Sequence, residues 1–207
     1  MAKPPKAKRP KAKRPSAKPP KAKKVARSFS TPTLPEHAKQ SGSWFFPRRV
    51  PGQPFYWLLK QEPTDFSYED LLKAPSQTTN WNGVRNFVAR TFLRDHIKKG
   101  DKAFYYYSGG EPSRVAGIVD IVRDGYPDAT QFDKKSMYYD PDSTPDAPRW
   151  FQVDVRASEK LPYEVTIADI KKEPALAALV LLHISQLSVQ PVTKAEWDAI
   201  VRLARGR

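Results

Sequence analysis

Phe55, Trp57 and Leu59 repeat at every second position and the run stops at Lys60, the period of a β-strand. Trp150 to Arg156 alternates in the same way, with Phe151, Val153 and Val155 on one side and Gln152, Asp154 and Arg156 on the other. Lys102 to Ser108 is filled by Phe104, Tyr105, Tyr106 and Tyr107, and Arg114 to Arg123 is nearly continuous apolar, which fits a strand buried on both sides. Leu187 to Val192 is a fifth, shorter strand candidate. Helical signals lie between these strands. Ser67 with Asp70 three residues on, and Thr193 with Glu196, are capping-box starts. A longer helix is expected from Val84 to Lys98, ending at Lys99-Gly100, with Val88, Ala89, Phe92, Leu93, His96 and Ile97 on one face and Arg85 at its N-terminal edge. Strands and short helices mixed without βαβ regularity predict an α+β fold, a small barrel-like sheet with flanking helices.

Charge divides the chain. Residues 1 to 50 hold 15 of the 36 Lys and Arg and a single carboxylate, Glu36, so they carry the whole net charge of +14. The remainder is neutral. Ala2 to Ser16 reads AKPPKAKRPKAKRPS and Ala17 restarts the phrase. No apolar side chain larger than Val25 lies between Lys3 and Arg27, and the prolines forbid a continuous helix. The expected organisation is a disordered basic tail and linker over residues 1–54 and one folded domain over 55–207. Lys6, Lys8, Arg9, Lys11, Lys13, Arg14, Lys21, Lys23 and Lys24 are the expected non-specific phosphate contacts, working by counterion release. An address signal is the blander reading of the same residues, and a transit peptide fits poorly because it needs an amphipathic helix. The linker carries one apolar cluster, Trp44, Phe45 and Phe46.

The chain has no cysteine, which removes disulfides, zinc fingers, iron-sulfur clusters and thiol nucleophiles together. The longest apolar run, Ala175 to Leu182, is far short of the ~20 residues that span a bilayer. An intracellular protein without membrane contact is expected, acting as a monomer, in the nucleoid or cytoplasm of a bacterium or the nucleus of a eukaryote. His37, His96 and His183 lack metal-ligand spacing, and Asp140, Asp142 and Asp146 lack the glycine and terminal Glu of a calcium loop. No metal and no cofactor is expected.

The densest chemistry in the body is TTNWNGVRN, Thr78 to Asn86. Trp81 offers a face for stacking, Asn82 and Asn86 offer paired donors and acceptors, Gly83 permits close backbone approach, and Arg85 supplies a positive end. Those are the means of holding a planar heterocycle. The same spacing also fits a Trp that plugs the end of the sheet beside an Arg paired to a buried carboxylate.

LLKQEP from Leu58, TTNWNGVRNFVAR from Thr78, YYS from Tyr106, AGI from Ala116, GYPDATQFD from Gly125, YYDP from Tyr138, RWF from Arg149 and LSVQPV from Leu187 together resemble the EVE domain, in order from about Tyr56 to Leu203. The resemblance implies a PUA-like fold, a small β-barrel with flanking helices, and a pocket for a modified base in DNA or RNA. Carried onto this chain, it implies Lys60, Trp81 with Asn82 and Gly83, Arg85, Asn86, Tyr107, Ser108 and Gln190 as base-binding residues. Tyr107 stands where many relatives have His, and Asn82 where Asp is frequent, so an altered ligand preference is implied. The expected function is a non-enzymatic nucleic-acid binding protein that reads modified bases. The rival readings are an enzyme acting on a modified or damaged nucleotide through Lys60, Glu62 or Asp140, and an architectural protein that binds chiefly through its tail.

Overall fold

The computed structural model describes residues 49–206. Five expected strands form: β1 (Tyr56–Gln61), β3 (Lys102–Tyr107), β4 (Arg114–Pro127), β5 (Phe151–Thr166) and β6 (Val189–Val192). A sixth, β2 (Thr78–Asn80), takes up part of the polar segment before Trp81, where the sequence pattern marks no strand. It pairs antiparallel with Arg156 to Asp154 of β5. The sheet order is β2-β5-β4-β3-β1-β6, and β1 lies parallel to β3 while the other neighbours are antiparallel. Bulges shift the β4–β5 register at several points, and such insertions bend long strands. Bending lets β4 and β5 run well past the Arg123 and Arg156 limits that the apolar pattern marks.

Both faces of the sheet are covered. Trp57, Leu59, Ala103, Tyr105 and Tyr107 pack on one side, with Trp81, Phe92 and Leu93. Leu58, Phe104 and Tyr106 pack on the other, with Trp197 and Ile200. Alternate side chains of a strand point to opposite faces. The central strands β1 and β3 are therefore apolar at both parities, and the odd-numbered stripe of β1 is only half of its buried surface.

The helices are α1 (Tyr68–Lys73), α2 (Phe87–Thr91), α3 (Ile167–Lys172), α4 (Val180–His183) and α5 (Lys194–Arg205). Ser67 and Thr193 cap α1 and α5 with the expected reciprocal boxes. The helix expected over Val84 to Lys98 starts three residues late and changes type. Asn86 caps it, its side chain accepting from the N–H groups of Val88 and Ala89. Phe92–His96 then forms a π turn in which Ile97 N–H reaches Phe92 O. Ala89, Phe92, Leu93 and Ile97 are buried as expected, while Val88, in the α-helical part before the wider turn, is 40% exposed.

Asp101, fully enclosed, joins the start of the described chain to the sheet. Its carboxylate accepts both terminal nitrogens of Arg49 at 2.7 Å, the Phe55 and Lys98 backbone N–H groups and Trp57 Nε1. Arg49 belongs to the stretch that composition assigns to the linker, yet here it is part of the packed body. The expected phosphate-binding residues from Lys6 to Lys24, the cluster Trp44 to Phe46, and His37 lie outside the described residues.

Candidate nucleic-acid interface

Trp81 follows β2 directly, and its N–H donates to Val153 O at 2.7 Å. The ring is turned into the core, 5% exposed, and meets Tyr105 edge-on with centroids 5.3 Å apart. Tyr105 in turn stands edge-on to Tyr68 and Tyr107, so Trp81 ends a chain of four aromatic rings on one face of the sheet. Tyr107 accepts from Tyr68 N–H at 2.7 Å and donates to Glu69 at 3.1 Å. Burial pushes its phenol up to about 12, which keeps the donor proton in place. Ser108 closes the strand end, its N–H and hydroxyl both directed to Gln61 O.

The turn after Trp81 is held from beneath. Gly83 has φ +75°, and a Cβ there would meet the Tyr138 ring at 2.7 Å, so the glycine serves close approach to Tyr138 as well as a left-handed backbone. Gly83 N–H and Arg85 Nη1 both donate to Asp128 Oδ2, at 3.0 and 2.8 Å. Arg85 also donates to Tyr138 O and Thr130 Oγ1, and its guanidinium lies over the Tyr138 and Trp150 rings. Asp128 is fully buried. Burial raises its carboxyl, but hydrogen bonds from Thr130, Arg85 and Gly83 outweigh that and hold it below the ordinary carboxylate range. The arrangement of a buried Trp beside an Arg paired to a buried carboxylate is thus present.

Around this anchor several side chains face outward. Asn80 and Asn82 are exposed and joined by a 3.2 Å bond from Asn82 Nδ2 to Asn80 Oδ1. Phe87 is 54% exposed, lies 5.1 Å from Trp150, and has the guanidinium groups of Arg90 and Arg149 over its ring.

Lys60 and Gln190 stand apart from this cluster. Gln190 pairs with Leu58 across the β1–β6 ladder, and directly paired residues share a face. That face is the one opposite Trp81. Gln190 is 1% exposed and its Nε2 holds the Ile184 and Leu187 carbonyls, so it does not meet a base edge jointly with Asn82 in this structure. Lys60 Nζ donates to Ser185 O at 2.6 Å and lies over Tyr106; burial lowers its ammonium to about 8. It forms no ion pair with Glu62 among the described residues. Asp140 accepts from Trp150 Nε1 and Arg149, and His183 Nε2 lies 2.8 Å from Ala177 O.

The structure therefore brings together Trp81, Asn82, Gly83, Arg85 and Asn86 in one turn, links them through Tyr105 to Tyr107 and Ser108, and leaves Lys60 and Gln190 on the other face. Sequence reasoning missed Tyr105, Asp128 and Tyr138. A signal for Asp128 existed: Asp followed two residues later by Thr is a local turn pattern, and the inward Arg85 requires a carboxylate.

The EVE domain family model matches residues 55–203. Human thymocyte nuclear protein 1 is 39% identical over 165 residues, covering 72% of this chain and 73% of that protein. Among solved structures, a hypothetical protein from Leishmania major aligns with a TM-score of 0.70 at 38% identity, over 74% of this chain and 96% of that one. Human THYN1 protein in complex with 5-methylcytosine containing DNA aligns with a TM-score of 0.69 at 38% identity, over 72% and 97%.

Proposed function

The chain belongs to the EVE domain family, and from that membership we propose that it binds nucleic acid and reads a modified base, without catalysing a reaction on it. The observation that carries the reading is the 38%-identical human protein of the same fold whose structure holds 5-methylcytosine DNA. In this reading the base is received on the outer side of the Asn80–Asn86 turn. The buried Trp81–Tyr105 pair forms its floor, and the exposed amides of Asn80 and Asn82 meet its edge, since an amide offers both a donor and an acceptor to a base. The Arg85–Asp128 anchor fixes the turn so that those amides are pre-positioned. Lys60 directed to a backbone carbonyl, rather than to Glu62, gives no support to an acid/base pair there. The tail adds attraction that ignores base identity.

Replacing Asn80 and Asn82 by Ala tests the placement. Both side chains are exposed, so the fold should survive. The double variant is expected to lose about 1–3 kcal/mol of affinity for a 5-methylcytosine oligonucleotide, because the amides contact only a base that has been received in the site, while its tail-driven affinity for the unmodified counterpart changes little. An unchanged modified-to-plain ratio would remove the base site from this turn.

A further inference from the structure

Met137 is 88% exposed, the most exposed large apolar side chain among the described residues. Its loop is nevertheless tightly tied. Asp133 accepts the N–H of Lys135 through its side chain at 2.9 Å and the N–H of Ser136 through its carbonyl at 2.9 Å. Ser136 accepts the N–H groups of Tyr138 and Tyr139 through its hydroxyl and carbonyl, and Asp140 N–H donates to Gln131 O at 3.0 Å. The foot of the loop is Tyr138, whose carbonyl accepts from Arg85 and whose ring fills the space above Gly83. A rigid loop thus holds a long apolar side chain in water, one residue from its attachment to the candidate base turn. Lys134 and Lys135 flank the tip, are exposed, and have no carboxylate partner among the described residues.

A base paired inside a duplex cannot meet the Asn80–Asn82 rim until it leaves the stack. Extrusion costs unpairing and unstacking and leaves a gap between neighbouring base pairs. An apolar wedge in that gap recovers stacking, and cations beside it hold the flanking phosphates. The wedge must be stiff, or the duplex closes by pushing it aside. We propose that Met137 is a plug that enters duplex nucleic acid where the modified base has been extruded, with Lys134 and Lys135 on the adjoining phosphates. This rests on the base-reading function proposed above.

The test uses the full chain and three ligands: a duplex with one 5-methylcytosine and a 2-aminopurine beside it, the unmodified duplex, and the same modified strand alone. The wild type is expected to bind the modified duplex over the plain one and to raise 2-aminopurine fluorescence. Met137→Ala is expected to abolish that rise and to weaken duplex binding about five- to tenfold, the lower end of what losing a stacking side chain costs, while binding the single strand as the wild type does. Met137→Leu should restore both readouts. Equal losses on duplex and single strand, or no loss on either, would overturn the plug, as would a wild type that prefers the modified duplex without raising the fluorescence. A wild type with no preference for the modified base in either form would instead overturn the reading function on which the plug depends.

Discussion

The turn from Trp81 to Asn86 and the loop from Asp133 to Tyr139 touch through Tyr138, and they use their side chains in opposite ways. In the turn, most of the polar and aromatic groups have partners within the protein, and Asn82 is left facing solvent as the candidate base contact. Trp81 packs on Tyr105, Arg85 and the Gly83 N–H are bound to Asp128, and the Asn86 side chain caps α2. In the loop the backbone is held and the side chains of Lys134, Lys135 and Met137 are left to solvent. A residue with all its partners inside the protein builds a site; a residue held in water at the cost of apolar exposure is available to a ligand. The difference separates scaffold from contact where residue type alone does not.

That contrast predicts a ranking of stabilities. Trp81→Ala removes a buried indole from the core, a change that costs roughly 3–5 kcal/mol, and urea denaturation of the full chain should show the largest shift for this variant. A loss under 1 kcal/mol would mean that the ring is not part of the core.

Arg85→Ala should rank second, at about 3 kcal/mol, because it removes the guanidinium paired with buried Asp128. The sign with pH follows from the depressed carboxyl. The stabilisation is full above the ordinary Asp value of about 3.9 and is lost as pH falls through the lower folded value. The gap between Arg85→Ala and the wild type should therefore be wide at neutral pH and narrow in acid. A gap that widens in acid would contradict the pairing.

Met137→Ala should rank last, within about 0.5 kcal/mol of the wild type. A larger destabilisation would make Met137 a structural residue and erase the contrast between turn and loop.

Much of this was legible in the sequence. Alternation and apolar runs together mark five strands, and Ser67 and Thr193 open capping boxes as expected, because these signals are local. The short β2 was not legible: Thr78 to Asn80 is polar, and its pairing depends on β5, far along the chain. The late start of α2 turns on Asn86, whose side-chain oxygen caps it. Gly83 carries a true signal, the need for a close approach, and the approaching group in the structure is Tyr138. Resemblance groups Lys60 and Gln190 with Trp81, and the alternation of β1 and β6 places both on the face opposite it. Met137 has no motif at all. Its exposure on a tied loop exists only in three dimensions.

The central claim is that the body selects the modified base and the tail adds affinity that ignores it. The full chain and a version beginning at Arg49, which keeps the Arg49–Asp101 pair, should be titrated with 5-methylcytosine and plain duplexes over a range of salt. The truncated protein should bind both duplexes more weakly, its log-log salt slope falling by about 0.9 for each lost phosphate contact, and its modified-to-plain ratio should equal that of the full chain. A ratio of one in the truncated protein would contradict the account.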